Sequence, residues 1–332
     1  LQPSSRSRRS FLAGLAASPL LASAASAATD AFPATVAHGL GTTTIPRRPQ
    51  RVATVAWANH EVPLALGVAP VGMARANFGD DDGDGLLPWT AARLAELGAE
   101  PPVLFDEGDG IDFEAVAETR PDVILAAYSG LSQADYATLS SIAPVVAWRA
   151  GPWATDWREM IRLNAAGMGL SAEGEALIAR TEAEIAATLA RHPALAGKSA
   201  MFVTHLDARD LSVIRFYTAA DTRVKFLADL GLVSPRAVEE AGAAGRYAGE
   251  ISAERIDDFD DVDILIAYGG EALRDSIRAN PLTGRMKAVQ AGSVVLLGND
   301  PVGTGANPTP LSIPWVLEAY VDRLAEAARR AR

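Results

Sequence analysis

Tryptophan, tyrosine and arginine gather where the apolar runs of this sequence end. Trp57 and Asn59 close the run 51–57, Arg75 and Asn77 follow 71–74, Tyr128 and Ser129 follow 123–127, and Trp148 and Arg149 end 145–148. In the second half His205 follows 200–204, Tyr268 ends 264–268, and Asn299 and Asp300 follow 294–297. Flat aromatic faces beside guanidinium and phenol donors suit noncovalent capture of a bulky organic ligand that carries anionic oxygens. Bond-making chemistry has no comparable support. No G-x-G-x-x-G follows a strand, and neither a phosphate-binding G-x-x-x-x-G-K-[ST] nor a G-x-S-x-G elbow occurs. The histidines His38, His60, His192 and His205 lack paired ligand spacing, so no zinc site is expected. Asp80-Asp81-Asp82-Gly83-Asp84-Gly85 starts like a calcium loop, but its twelfth position is Ala91, and a solvated acidic loop is the better reading.

Strand ends become a site only if the strands lie side by side. Continuous apolar runs such as 123–127 and 264–268 are typical of strands buried on both faces of a parallel sheet. Open parallel sheets bind ligands beyond the carboxyl ends of their strands, where these residues fall. An offset of 140 residues lays Tyr128 on Tyr268, Gly130 on Gly270, Glu114 on Glu254 and Val116 on Ile256. The fold class expected is therefore α/β, with two Rossmann-like lobes and a ligand cleft between them. Between the halves, alanine, leucine and charge recur at helical spacing, with Gly167 and Gly169 as breaks and Ser171 as a candidate N-cap. A long rigid helix over 172–191 would join the lobes without large independent motion. The expected divisions are 28–152 for the first lobe, 153–193 for the helical connector and 194–332 for the second lobe.

Composition narrows the function classes. The chain carries 41 acidic and 30 basic side chains, a formal charge of −11, in 332 residues with no cysteine. The acid surplus makes nucleic acid an unsuitable partner. Absent cysteine excludes disulfides, thiol catalysis, iron–sulfur clusters and, at the first mature position, a lipid anchor. Arg8-Arg9-Ser10-Phe11-Leu12, an acid-free apolar stretch and a small-residue tail through Ala28 have the layout of a secretory signal, and the paired arginines resemble the twin-arginine type. Cleavage after residue 27 would remove Arg6, Arg8 and Arg9, leaving 27 basic against 41 acidic side chains, or −14. No other window approaches a membrane span. A soluble, untethered, exported protein is expected.

The order and spacing of several short pieces carry a resemblance over essentially the whole mature chain. They are residues 41–52 (GTTTIPRRPQRV), 64–72 (LALGVAPVG), Pro88-Trp89, Phe113-Glu114-Ala115-Val116-Ala117 with Arg120-Pro121-Asp122, and 139–144 (LSSIAP). Together they resemble the iron-siderophore substrate-binding proteins of ABC importers, the class that also includes haem and corrinoid carriers. The resemblance implies a carrier, not an enzyme, working in the periplasm as a monomer and delivering its ligand to an inner-membrane permease dimer. The iron is saturated by the siderophore's own oxygens, so no cofactor or metal ligand is implied. It also places Trp89 and the stretches Arg215-Phe216-Tyr217 and Arg246-Tyr247 over the cleft, which completes a candidate ligand set of Trp57, Arg75, Trp89, Tyr128, Arg215, Tyr217, Arg246, Tyr247 and Tyr268.

Within that family the ferric hydroxamate carriers use an Arg after the third strand and a Tyr after the fourth. Tyr128 matches the Tyr, but Asp106-Glu107-Gly108 occupy the Arg region. That departure points to Arg75, Arg215 and Arg246 serving a catecholate or mixed anionic chelate. The resemblance further implies that one acid on each lobe docks into the permease, and Glu114 and Glu254 match those positions. A haem or corrinoid ligand stays open within the class. From another class, an exported cofactor-dependent oxidoreductase would also suit a twin-arginine signal.

Overall fold

The computed structural model describes residues 31–204 and 206–331. The signal-like segment and His205 lie outside the described residues.

A hairpin of β1 (Ala34–His38) and β2 (Gly41–Ile45) precedes the first lobe. The lobe is a five-stranded parallel sheet of β3 (Val52–Thr54), β4 (Gly72–Ala74), β5 (Val103–Phe105), β6 (Val123–Ala126) and β7 (Val145–Ala147), in the order β5-β4-β3-β6-β7. Four helices connect these strands: α1 (Glu61–Ala65), α2 (Pro88–Leu97), α3 (Phe113–Glu118) and α4 (Gln133–Ser140). The alternation of side chains explains why the strands are uniformly apolar. Val123, Leu125 and Val146 point to one core, while Ile124, Ala126, Val145 and Ala147 point to a second core under α3 and α4. All four residues of β6 are fully buried, and each large apolar side chain contributes about 1.5–3 kcal/mol by leaving water.

Two helices, α5 (Trp157–Met168) and α6 (Ser171–Leu189), lead to the second lobe. At 1.5 Å per residue α6 runs for about 28 Å. Its start differs in detail from expectation. Gly169, at φ 69°, ends α5, and Ser171 is the first helical residue, with no side-chain cap at Leu170. Gly167 breaks nothing; it lies within α5, where a Cβ would come within 2.8 Å of Leu125 and Val146. Glycine here lets the helix lie close on the sheet.

The second lobe has the parallel strands β8 (Ala200–Phe202), β11 (Ile264–Tyr268) and β12 (Val294–Leu297), ordered β12-β11-β8. Beside them stands an antiparallel hairpin of β9 (Val213–Tyr217) and β10 (Ala248–Ser252). Helices α7 (Thr222–Asp229), α8 (Arg236–Ala243), α9 (Glu271–Ala279), α10 (Lys287–Gln290), α11 (Pro301–Gly305) and α12 (Ser312–Arg330) complete it. One apolar core runs through both lobes by way of α5, α6 and α12, joining Val123 and Leu125 to Phe202, Ile266 and Tyr320. No helix of the described residues is long and apolar enough to cross a membrane.

Candidate functional site

Strand order fixes where a ligand can sit. The chain reverses direction across the first sheet between β3 and β6, and the loops leaving those two strands diverge to open a crevice. A pocket of about 440 Å³ lies there, walled by Trp57, Arg75, Glu107, Ser129, Leu131 and Trp153 among others. The loop after β3 is unusual, because Ala56 and Ala58 both adopt φ 61°, a region that costs non-glycine residues energy. This bend presents Trp57 between them. Glu107 meets it, its two oxygens accepting the Ala56 N–H at 2.9 and 3.1 Å. Burial pushes the Glu107 carboxyl up to about 7, against the pull of that hydrogen bond.

Tyr128 is positioned through its backbone. Asn59, fully buried, donates to the carbonyls of Val55 and Tyr128 at 2.8 Å and accepts the Tyr128 N–H at 3.0 Å. Trp153 packs edge-on against the Tyr128 ring, with centroids 5.3 Å apart. The phenol reaches across to the second lobe, where Asn307 donates to it at 3.3 Å and accepts from Thr222 at 2.5 Å.

Beyond that bridge, the second lobe sets an arginine among tyrosines. Asp221 caps α7 by accepting the Arg223 N–H and also takes the guanidinium with both oxygens, at 2.9 and 2.6 Å. Arg223 lies over the Tyr217 ring at 4.2 Å, and Tyr247 packs edge-on to Tyr217 while donating its hydroxyl to Asp221. Tyr268 sits between Phe202 of its own sheet and Phe78 of the first lobe. Burial holds the phenols of Tyr128, Tyr217, Tyr247 and Tyr268 above their ordinary range, so all four remain protonated donors. Asp221 keeps Arg223 charged in spite of its burial.

The sequence-predicted residues therefore divide. Trp57 and Arg75 line the pocket, and Tyr128, Tyr217, Tyr247 and Tyr268 surround the Asp221–Arg223 pair. Trp89 does not face the cleft. It is only 3% exposed and packs with Leu87 and Val316. Arg215 is exposed and pairs with Glu250 at 3.2 Å. Arg246 lines a different pocket, with Arg236, Glu240 and Asp258. The expected group of three arginines is thus not assembled, because Arg215 and Arg246 are taken up by carboxylate-rich surroundings on and behind the β9–β10 hairpin. Asn59 is a buried scaffold, and Trp148 donates to the Leu131 carbonyl while packing beneath Gly39, away from the pocket.

Asp221, Arg223, Glu107 and Trp153 were not read as ligand residues from the sequence. An Asp-Thr-Arg sequence opening a helix announces a cap, and that was the signal available for the first two. Asp80, Asp82 and Asp84 do converge, yet the loop folds around its own backbone, Asp80 accepting the Gly83 and Gly85 N–H groups at 2.8 Å.

Glu114 and Glu254 are exposed in the first turns of equivalent short helices, α3 and the 3-10 segment Ala253–Phe259. Each helix is capped by the preceding loop, through Asp112 and Ser252, and each anchors by its buried Val116 or Ile256. These two segments thus repeat in structure as in sequence.

Comparison with known proteins places this arrangement. PiaA of Streptococcus pneumoniae, solved in complex with ferrichrome, is 41% identical with a TM-score of 0.85, covering 90% of this chain and 99% of that one. A periplasmic solute-binding protein of Mycobacterium smegmatis is 25% identical with a TM-score of 0.73, covering 89% of this chain and 98% of its own. A probable siderophore-binding lipoprotein of Bacillus subtilis, YfiY, is 29% identical over 142 residues, which is 42% of this chain and 40% of that protein. The match therefore spans about two-fifths of that relative's length. The family model for periplasmic binding proteins matches residues 52–301, from the first strand of the first sheet into α11, and the chain belongs to that family.

Proposed function

We propose that this protein captures a ferric siderophore in the cleft between its lobes and hands it, as an exported carrier and not an enzyme, to the permease dimer of an ABC importer. The observation that carries the reading is a set of aromatic faces around an arginine whose charge is already matched. Trp57 and Trp153 line the first-lobe pocket, and beyond the Tyr128–Asn307 bridge Tyr217, Tyr247 and Tyr268 surround Arg223, which Asp221 neutralises. Arg75 has no carboxylate partner among the described residues, and Glu107 shares its pocket. Such a cleft lacks the clustered free cations that a trianionic catecholate chelate needs, and it suits an electroneutral hydroxamate chelate. Similarity to a protein solved with ferrichrome supports the same ligand class. The protein would act as a monomer in the periplasm after removal of its signal.

Titration of the purified protein with ferrichrome, a ferric tris-catecholate and ferric citrate, followed by tryptophan fluorescence, tests this. Saturable quenching by ferrichrome, with the catecholate at least tenfold weaker, is expected. If none of these chelates alters the fluorescence, the proposal fails.

A further inference from the structure

A further contact ties the lobes together through a buried carboxylate. Glu61 opens α1 in the first lobe and has no exposed surface. Its Oε1 accepts the indole N–H of Trp89 on α2 at 2.7 Å. Its Oε2 accepts the backbone N–H groups of Leu311 and Ser312, at 2.9 and 3.3 Å, where α12 of the second lobe begins. The Thr309 hydroxyl adds a further hydrogen bond. A side chain 250 positions away in sequence thus occupies the N-terminus of a 19-residue helix, where free N–H groups and the helix dipole favour an anion.

Every partner of Glu61 is a donor, and they come from two separate elements, α2 and the start of α12. Hydrophobic burial is non-directional and does not by itself select one arrangement of α1 against α12. A buried carboxylate with donors on both sides admits one arrangement, and a buried ionic group of this kind is best suited to fixing register. The surroundings agree. Leu87, Trp89 and Val316 form a small apolar cluster that again joins the two lobes, with Leu311 and Trp57 packed against it. Trp57 therefore touches both this cluster and the pocket.

We infer that Glu61 is a positioning residue that sets the angle between the lobes by pinning α1 and α2 to the start of α12. The connection through α5 and α6 would leave that angle less determined on its own.

The absence of cysteine makes a direct test simple. Ala137→Cys on exposed α4 and Ala279→Cys on exposed α9 take one spin label in each lobe. Pulsed dipolar spectroscopy on the unliganded protein then reads the distribution of distances between them. Glu61→Gln keeps the shape but turns an amide N–H₂ toward either the indole or the helix N–H groups. The distribution is expected to widen at least twofold in this variant, with circular dichroism unchanged. Trp89→Phe, which retains a ring and removes one donor, should widen it less. Unchanged widths in both overturn the inference, as does an unchanged width in Trp89→Phe if Glu61→Gln fails to fold. Because no ligand enters the measurement, its result is separate from that of the siderophore titration.

Discussion

Asp221 holds the Arg223 guanidinium with both carboxylate oxygens and caps the helix on which Arg223 rides. The pair brings a cation beside four tyrosines without adding net charge to the cleft. Asp221→Asn frees that cation, so binding of a ferric tris-catecholate relative to ferrichrome is expected to rise by tenfold or more. Arg223→Ala should weaken ferrichrome binding by about 1.5–3 kcal/mol, the range for a charge-assisted hydrogen bond. Arg215→Ala and Arg246→Ala, whose side chains lie elsewhere, should leave it unchanged. Fluorescence titration of the four variants checks this, and equal losses at all three arginines would contradict it.

Glu107 predicts a pH dependence. Its carboxyl is raised from 4.5 to about 7 in the folded protein, so folding retains the proton more strongly than the unfolded chain does. Its contribution to stability is present below about pH 4.5 and is lost as pH rises through about 7. Glu61 acts in the same direction over the same window. His60, lowered from 6.5 to about 4, acts oppositely, its contribution being present above 6.5 and lost as pH falls toward 4. Glu107→Gln removes one of the three, and its stability relative to wild type should improve by up to about 3 kcal/mol between pH 4.5 and 8. Denaturant unfolding at both pH values measures it, and a constant difference would refute the assignment.

Asn59→Ala takes a partner from two carbonyls, those of Val55 and Tyr128, from the Tyr128 N–H and from the Asn164 amide in a buried site. A loss of at least about 4 kcal/mol in unfolding free energy is expected, since each of the four stranded groups costs about 1–3 kcal/mol. Ligand affinity should fall as well, because Tyr128 loses its anchor. Unimpaired binding by the folded variant would show that Tyr128 does not need it.

Glu114→Ala combined with Glu254→Ala should abolish siderophore uptake in cells while leaving ligand affinity intact. A twofold-related pair of permease subunits calls for equivalent charges on both lobes. Normal uptake by the double variant would remove these glutamates from docking.

The strands were legible because runs such as 123–126 and 264–267 meet apolar neighbours on both faces, which leaves no polar position to blur the pattern. The exceptions are β5, too short behind Pro101-Pro102 to show a period, and the hairpin strands β1, β2, β9 and β10, in which buried positions alternate with more exposed ones and no continuous apolar run marks the strand. The site was only partly readable. Strand ends revealed Trp57, Arg75, Tyr128 and Tyr268, whose place follows from sheet geometry alone. Arg223 sits in a helix and acts through a partner two residues away, so no strand end marks it. Trp89 misled because a tryptophan opening a helix has the same local sequence whether it faces ligand or core. Its role is set by Glu61, 28 positions earlier.

The core that runs without a break through α5, α6 and α12 has a consequence for how the molecule melts. Although the chain repeats itself, and the first half keeps a smaller core of its own under α3 and α4, the main interior is shared: cutting between the halves would bare the inner faces of α6 and α12 to water. The repeats are thus expected to unfold as one cooperative unit, with a single calorimetric transition, and neither should be obtainable as a stable fragment.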